Sequence, residues 1–387
     1  MKILFLLHSA VPTDGSSIAV MSIIKQLLLE KHEIRVISGQ DGNLLREFEK
    51  LGIKTFVFEY YGALYPSVST IRSCITFPYH LTNIIYKNHL AEKNILEIAR
   101  EFNPDIIHSN VGVIRVGYYV SKRLRIPHVW HVRETSKGLN VLHYPSLWWQ
   151  KHLYKINNYN ISITEGVKEF YNMSEKNTKV IYDGVFSSAY KLNTNIKKQN
   201  YFLFAGRICQ AKGADWAVKA FLSIASKYPS MELWLAGNDS SSYAKELKRI
   251  VEQSNSSGKV KFLGVRNDVY ELMAKAQAVL VPSTLEGFGF ITVEAMVNKT
   301  IVIGRNSGGT KEQFDNGLKL CNSEIGLRCC SIQDMANHME EICKKGQEDY
   351  REMIRMADKT VRSLYTIENN ASNILMLYNK IRRALDK

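Results

Sequence analysis

Two glutamates eight positions apart border a glycine-rich turn in the second half of the chain. Glu286 follows a short apolar run that ends at Val281, and Glu294 lies where a helix is expected to have begun. Gly287 and Gly289 let the backbone approach a ligand closely, and free amides at a helix start favour an anion such as phosphate. A carboxylate beside a bound phosphate would repel it, so the two glutamates are expected to bind neutral groups, and each can accept hydrogen bonds from two hydroxyl groups. The pattern therefore predicts that Glu294 holds the ribose of a sugar nucleotide and Glu286 the hydroxyls of its sugar.

A second candidate group consists of two cations in one turn. Arg207 and Lys212 follow the first strand expected in the second half, and Gly206 and Gly213 make the turn possible. Cleaving a sugar from a diphosphate builds charge on the leaving oxygen, which fixed cations can stabilise in place of a metal ion. No D-x-D motif, the usual carboxylate pair for a divalent ion on a sugar nucleotide, occurs in the chain. Taken singly, a capped helix with solvated glutamates and a turn with solvated cations remain simpler interpretations.

Together these residues resemble the donor-binding signature of the retaining GT-B glycosyltransferases, family four. The two glutamates match that family's E-x7-E motif in order and spacing. The resemblance implies a nucleotide diphosphate sugar as donor, with neither a metal ion nor a further cofactor. It assigns catalytic roles to Arg207, Lys212 and Glu286, and donor-binding roles to Gly206, Gly287, Phe288, Gly289 and Glu294.

Further fragments extend the resemblance over nearly the whole chain. DGSSIAV is similar to the family's glycine loop near the donor phosphates, with Gly15 and Ser16 in the matching places, although many relatives have a second glycine where Ser16 stands. FLGVRND resembles the segment whose backbone recognises the nucleobase, and we assign its Arg266 to donor binding. VIYDGV resembles the hinge motif, in which Asn commonly takes the place of Asp183. SGGTKE, residues 307–312, resembles the family's next glycine loop.

HVRE, at residues 131–134, looks like the family's active-site histidine motif. The resemblance implies that His131 is catalytic and faces the donor sugar, although a histidine at a strand end is as often structural. Family members retain the anomeric configuration, and no side chain is an evident covalent nucleophile poised beside a base. A front-face route is therefore implied, in which the departing diphosphate takes the acceptor proton.

Short apolar runs alternate with longer amphipathic stretches in both halves of the chain, which predicts parallel strands joined by helical crossovers. The fold class is α/β, and the resemblance implies a GT-B fold of two Rossmann-like, doubly wound domains facing each other across a cleft. The polar segment 186–200 is the expected linker. We expect an acceptor-side domain at 1–186, joined by a C-terminal helix at about 366–387, and a donor-binding domain at 200–365.

Composition narrows the partners and the compartment. No run is long and apolar enough to span a membrane, the opening MKILFLL lacks a cleavage site, and no C-x-x-C pair indicates zinc or a disulfide framework. A cytoplasmic protein is expected. The net charge of +14 suits an anionic partner. Residues 60–91 and 135–164 contain no Asp or Glu and many aromatics, which favours either exposed loops and helices or peripheral binding to the anionic inner face of a membrane.

The expected function is sugar transfer from a nucleotide sugar to a glycan or lipid-linked glycan, in cell-surface polysaccharide synthesis. A nucleotide-sugar epimerase of the same fold is the leading alternative. A GT-B phosphorylase would need a lysine-bound pyridoxal site, for which no convincing candidate exists. A nucleic-acid-binding protein would explain the basic charge, but no basic helix or aromatic platform motif is evident, and no nucleic acid is expected as partner. A nicotinamide-dependent oxidoreductase is disfavoured because no G-x-G-x-x-G follows an expected strand.

Overall fold

The computed structural model describes residues 1–12, 14–66, 71–135, 141–192, 196–284 and 286–385. Contacts divide the chain into two units, Met1–Gly184 with Ile367–Lys387 and Val185–Thr366. Parts of the two acid-free stretches (67–70 and 136–140), of the expected linker (193–195) and of the C-terminal helix (386–387) lie outside the described residues.

The first unit contains a parallel sheet covered by helices. Its strands are β1 (Lys2–Leu7), β2 (Glu33–Ser38), β3 (Lys54–Val57), β5 (Ile106–Ser109), β6 (His128–Val132), β8 (Tyr159–Ser162) and β9 (Thr178–Val180), and a separate antiparallel pair is formed by β4 (Leu64–Pro66) and β7 (Val141–His143). Within the described residues the order of the parallel sheet is β3-β2-β1-β5-β6-β8-β9. The helices are α1 (Gly15–Leu29), α2 (Asn43–Lys50), α3 (Ile71–Phe102), α4 (Val116–Leu124), α5 (Leu147–Ile156), α6 (Glu165–Tyr171) and α14 (Ile367–Leu385).

Alternation along β1 explains why helices cover both faces of this sheet. Ile3 and Phe5 pack into a core with residues of α1 and α14, whereas Leu4 and Leu6 pack into a second core with residues of α3 and α4. Successive side chains of a strand point to opposite faces, so an unbroken apolar run is buried on both sides. The C-terminal helix α14 thus belongs to the first unit, where Tyr378 is fully buried.

The second unit repeats this architecture. Its strands are β10 (Tyr201–Ala205), β11 (Glu232–Ala236), β12 (Val260–Gly264), β13 (Ala278–Val281), β14 (Ile301–Arg305) and β15 (Leu327–Cys329), and its helices are α7 (Ala214–Ile224), α8 (Ser242–Glu252), α9 (Val269–Lys275), α10 (Phe290–Val297), α11 (Gly308–Cys321), α12 (Ile332–Lys345) and α13 (Arg351–Leu364). The strands run parallel in the order β12-β11-β10-β13-β14-β15. Strands β10 and β13 are therefore neighbours although two other strands separate them in the chain. Such a switch point is where doubly wound sheets bind ligands.

The first part of the expected linker, residues 186–200, packs onto the second unit. Phe186 is buried within the second unit and forms an isolated parallel bridge with Thr366. The backbone amide of Val185 also donates to the carbonyl of Tyr365 at 2.9 Å. An aromatic side chain inside a polar stretch gains apolar contacts when buried, so this segment packs onto its unit.

Candidate active site

Two loops meet at the switch point of the second sheet. One leaves the carboxyl end of β10 at Gly206 and passes through a short 3-10 turn, Gln210–Lys212, into α7. The other leaves β13 and leads to α10. They are tied together because the amide and hydroxyl of Thr284 both donate to the carbonyl of Ala211, at 3.1 and 3.2 Å. The sequence-predicted cations and Glu286 are thus carried on adjoining loops, and Glu294 lies in the helix that follows the second loop.

Lys212 and Glu286 form an ion pair between these loops. Lys212 Nζ lies 2.6 Å from Glu286 Oε1, and the side chains are 25% and 12% exposed. Gly213, which follows the lysine, has a φ of +70°, and a Cβ at this position would lie 2.5 Å from the carbonyl oxygen of Pro282. Only glycine fits such a place, because L-residues avoid this φ and the neighbour is backbone. Gly213 therefore allows the loop after β10 to pack directly against the loop after β13.

A third loop fixes the backbone around Glu286. The amide of Gly309, at the start of α11, donates to the carbonyl of Glu286 at 2.9 Å, and Gln313 Nε2 donates to the carbonyl of Phe288 at 2.7 Å. A Cβ on Gly309 would lie 2.0 Å from that same Phe288 oxygen. The loop after β14 therefore approaches the glutamate loop at a distance that only glycine allows, which is the contact the SGGTKE motif supplies.

Glu294 lies in α10, whose N-cap is Gly289 at a φ of +92°. The carboxyl group is partly buried, and burial raises the pKa of Glu294 to about 7. Among the described residues nothing donates a hydrogen bond to this carboxylate. Burial raises the pKa of the Tyr270 phenol, and the nearby carboxylate of Glu294 raises it further. A partly desolvated carboxylate with unused acceptor capacity can accept hydroxyl groups from a ligand.

The remaining predicted donor residues of this unit differ in their surroundings. Arg207 is exposed and forms no ion pair with any residue in the described part of the chain. Arg266 follows β12 and already pairs with Asp268, with Nη2 2.6 Å from Oδ2. Phe288 is buried, with its ring edge-to-face against Tyr365. Arg207 thus carries an uncompensated charge on the β10 loop, whereas the charge of Arg266 is matched locally.

In the first unit, the predicted phosphate loop also lies at a switch point. Gly15 and Ser16 begin α1 directly after the β1 loop, and Asn110 Nδ2, beyond the neighbouring β5, donates to the carbonyl of Ser16 at 3.1 Å. Asp14 occupies the N-cap without a side-chain capping bond, since its carboxylate accepts from Ser9 instead. The first amides of α1 are therefore not capped by this side chain, a geometry suited to an anion.

His131 is located inside β6, where it is fully buried. Its Nδ1 lies 3.2 Å from Arg133 Nη2, while Nε2 has no hydrogen-bond partner among the described residues. Burial and then the charge of Arg133 hold the pKa of His131 well below its usual 6.5. The imidazole is consequently neutral at physiological pH. Tyr378 of α14 reaches the adjacent His108, with its hydroxyl 2.7 Å from Nδ1.

A buried ion pair next to His131 was not predicted from the sequence. Arg133 Nη1 donates to both carboxylate oxygens of Asp183, to Oδ2 at 2.6 Å, and the two side chains are only 5% and 3% exposed. Arg133 Nε also donates to the carbonyl and side-chain oxygens of Asn110, at 3.0 and 3.2 Å. The available signal was Asp183 itself, which stands where the family commonly has Asn. A carboxylate is needed there because a buried guanidinium requires a counter-charge.

Comparison with known proteins decides the family. Residues 13–187 match the model described as Glycosyltransferase Family 4, and residues 189–360 match that of Glycosyl transferases group 1. The chain belongs to glycosyltransferase family 4. It is therefore a glycosyltransferase of the GT-B type, as the resemblance implied.

Relatives of this family 4 glycosyltransferase cover most of its length. An uncharacterized glycosyltransferase of Methanocaldococcus jannaschii is 25% identical over 77% of this chain and 78% of its own. The capsular polysaccharide biosynthesis glycosyltransferase CapH of Staphylococcus aureus is 23% identical over 78% and 80%. HepE of Anabaena, solved in complex with UDP, superposes with a TM-score of 0.79 at 21% identity, covering 98% of this chain and 100% of its own.

The described residues of the glycosyltransferase contain neither a candidate metal site nor a candidate membrane-spanning helix. No group of three or more His, Cys, Asp or Glu side chains is arranged to hold a metal ion. No described helix combines the length and apolar character needed to cross a bilayer.

Proposed function

We propose that this enzyme is a retaining, metal-independent glycosyltransferase that moves a sugar from a nucleotide diphosphate sugar to a glycan or lipid-linked glycan. The main support for this proposal is the ion pair of Lys212 and Glu286 at the switch point of the second sheet. It holds an ammonium group and a carboxylate side by side, at the edge where doubly wound sheets bind nucleotides. A nucleotide diphosphate sugar carries both an anionic diphosphate and sugar hydroxyl groups. The ammonium group suits the diphosphate, and the carboxylate suits the hydroxyl groups.

In this proposal each group has one task. Lys212 and Arg207 stabilise the negative charge that grows on the departing diphosphate, and the amides at the start of α10 assist. Glu286 accepts hydrogen bonds from the transferred sugar, and Glu294 accepts them from the ribose. The bond from the sugar's anomeric carbon to the diphosphate oxygen breaks, the acceptor oxygen bonds to that carbon on the same face, and the acceptor proton passes to the diphosphate.

UDP-sugars are the first donors to test, because HepE of Anabaena was solved with UDP and with UDP-glucose. The names of relatives, CapH in capsular polysaccharide biosynthesis and RfbU as an O-antigen chain mannosyltransferase of Salmonella typhimurium, support a glycan acceptor. A cytoplasmic location and peripheral binding to an anionic membrane remain part of the proposal. Exposed Trp148 and Tyr86, each in an acid-free stretch, support that binding.

The test is a thermal-shift screen against UDP-, GDP- and ADP-sugars, because a bound donor stabilises the folded chain by mass action. The donor that raises the midpoint is then incubated with glycan acceptors, and the anomeric configuration of the product is read by NMR. Retention is expected. Conversion of the sugar nucleotide without any acceptor would identify an epimerase, and the absence of both a shift and transfer for every donor would contradict the proposal.

A further inference from the structure

A pocket of about 420 Å³ opens in the first unit, and its lining includes none of the residues assigned to the donor. It is bounded by α3, by the chain just before β4, by the start of α4, and by the segment from Tyr144 to Trp149. Its lining combines aromatic rings with a few polar groups, among them Tyr61, His89, Arg115 and Tyr119. Such a mixture is typical of ligand sites, where apolar walls enclose a small number of orienting polar groups.

Arg115 is the buried cation of this pocket. The residue is 9% exposed, and its Nε donates to Gln150 Oε1 at 2.8 Å while Nη1 donates to the carbonyl of Tyr144. Its Nη2 is buried and has no hydrogen-bond partner in the part of the chain that the structure describes. The two partners that hold the guanidinium are neutral, so its charge is not compensated by them. A buried guanidinium with unused donors is suited to a bidentate anion such as phosphate.

The carboxylate that also lines the pocket has a cation beside it, although its Oε1 accepts no hydrogen bond within the described residues. Glu92 Oε1 lies 3.2 Å from Arg123 Nη1, and burial raises the pKa of Glu92. Asn88, another lining residue, is occupied by the backbone of Tyr61, accepting from its amide at 2.7 Å and donating to its carbonyl at 3.2 Å. Glu92 thus has a cation beside it and Asn88 is hydrogen-bonded, whereas the two groups that accept from Arg115 are both neutral, so its positive charge is not balanced by them.

Apolar side chains at the mouth indicate what accompanies the anion. Tyr61, Tyr119 and Ile85 line the pocket and are 37%, 37% and 44% exposed. Trp149 also lines it, and its neighbour Trp148 is 69% exposed. Four of these five residues, all except Tyr119, lie in the stretches 60–91 and 135–164, which contain no Asp or Glu. Aromatic and cationic side chains together favour the interface of a membrane with anionic headgroups.

We propose that this pocket binds the phosphate of a lipid-phosphate-linked acceptor, with Arg115 as the phosphate ligand and the exposed aromatic residues against the lipid. The inference rests on the proposed function and names the acceptor class. The phosphate chemistry is shared with a soluble sugar phosphate. The exposed apolar residues at the mouth select the lipid-borne form.

The test measures binding of the full-length protein to phosphatidylcholine vesicles that contain either a polyprenyl phosphate or phosphatidylglycerol at equal charge. Wild-type protein is expected to prefer the polyprenyl phosphate by about ten-fold or more, since its terminal phosphate can enter the pocket and meet the guanidinium in a bidentate contact, whereas the phosphate of phosphatidylglycerol is esterified on both sides. Arg115→Met should abolish this preference. Ile84→Trp, which fills the pocket from α3 without removing Arg115, should abolish it as well. Lys122→Met, which removes one charge from α4 outside the pocket, should leave it within about two-fold.

Three outcomes would overturn the inference. The first is equal binding of the wild type to both vesicle types. The second is a preference for polyprenyl phosphate that survives both Arg115→Met and Ile84→Trp. The third is Arg115-dependent binding of glucose 1-phosphate, measured by calorimetry, in a protein that does not bind polyprenyl phosphate vesicles. The donor-induced thermal shift is recorded for every variant and is expected to persist, which shows that the variants fold. If the wild type shows no donor-induced shift, the proposed function is rejected instead. Failure of the proposed function is thereby distinguished from failure of the pocket inference.

Discussion

Lys212 Nζ and Glu286 Oε1 lie 2.6 Å apart although 74 positions separate the two residues in the chain. The contact exists because β10 and β13 are neighbours in the sheet, so that the loops leaving their carboxyl ends adjoin. Glu286 positions the ammonium group, and the amide of Gly309 in turn positions the backbone of Glu286. The cation is thus held in place by three loops rather than by its own flexible side chain.

Removal of either cation should reduce turnover while leaving the fold intact. Arg207→Ala and Lys212→Ala are each expected to lower kcat by about a hundred- to a thousand-fold, the cost of deleting one preorganised charge donor. The measurement is steady-state kinetics with the donor identified by thermal shift. Lys219→Ala in α7, which removes a half-exposed lysine paired with Asp215, is the matched control and should be nearly neutral. Near-normal turnover in both test variants would reject the assigned roles.

Glu294 predicts a pH dependence of stability. Because burial raises its pKa to about 7 in the folded chain, the unfolded chain ionises this group first as the pH rises from 4.5. Its contribution to the free energy of unfolding is therefore largest below pH 4.5 and falls by up to about 3 kcal/mol as the pH rises to about 7. Glu294→Gln should remove this decline. Urea unfolding at pH 5 and pH 8 measures it, with exposed Glu252→Gln as control, and parallel profiles for Glu294→Gln and wild type would contradict the assignment.

Metal independence is tested directly by chelation. Transfer should continue at an unchanged rate in excess EDTA, because fixed cations are proposed to stabilise the leaving diphosphate in place of a divalent ion. Product formation is followed by chromatography with and without chelator, on protein previously dialysed against EDTA. Activity that disappears and returns only with added manganese would refute the metal-free mechanism.

The pair of Arg133 and Asp183 predicts a structural effect. Asp183→Asn preserves the shape of the side chain but leaves a buried guanidinium without its counter-charge, so the first unit should lose about 3–5 kcal/mol of stability. Denaturant unfolding, followed by circular dichroism, should show an earlier transition. Asp358→Asn, which breaks a more exposed pair with Arg362 in α13, is the matched control, with an expected cost of about 0–1 kcal/mol. Equal losses of stability in the two variants would show that the buried pair contributes no more to stability than the exposed pair.

The long parallel strands could be predicted from the sequence, and the short ones could not. Runs such as residues 201–205 and 278–281 are apolar throughout, and the structure confirms both as strands. Strands β4, β7, β9 and β15 have three residues each, too few to display a periodicity. They form where neighbouring backbone supplies the hydrogen bonds, which depends on tertiary contacts rather than on local pattern.

The candidate site was predicted by resemblance, and what escaped prediction is long-range pairing. E-x7-E and the glycine turns pointed to Lys212 and Glu286, but no spacing rule states that they touch. Asp183 was noted only as an unusual residue in a hinge motif, because its partner Arg133 lies 50 positions earlier. Arg115 attracted no attention, since burial distinguishes it from an ordinary surface arginine and burial is not visible in the sequence.

Gly213 and Gly309 bring segments of backbone together at distances that leave no room for a methyl group. The loops carrying Lys212 and Glu286 are thereby immobilised before a substrate arrives, and little conformational entropy remains to be lost when one does. Binding of the proposed donor's diphosphate and sugar should consequently lose little free energy to the ordering of these loops. Evolutionary change of sugar preference is then easier through side chains at the rim than through the length of these loops.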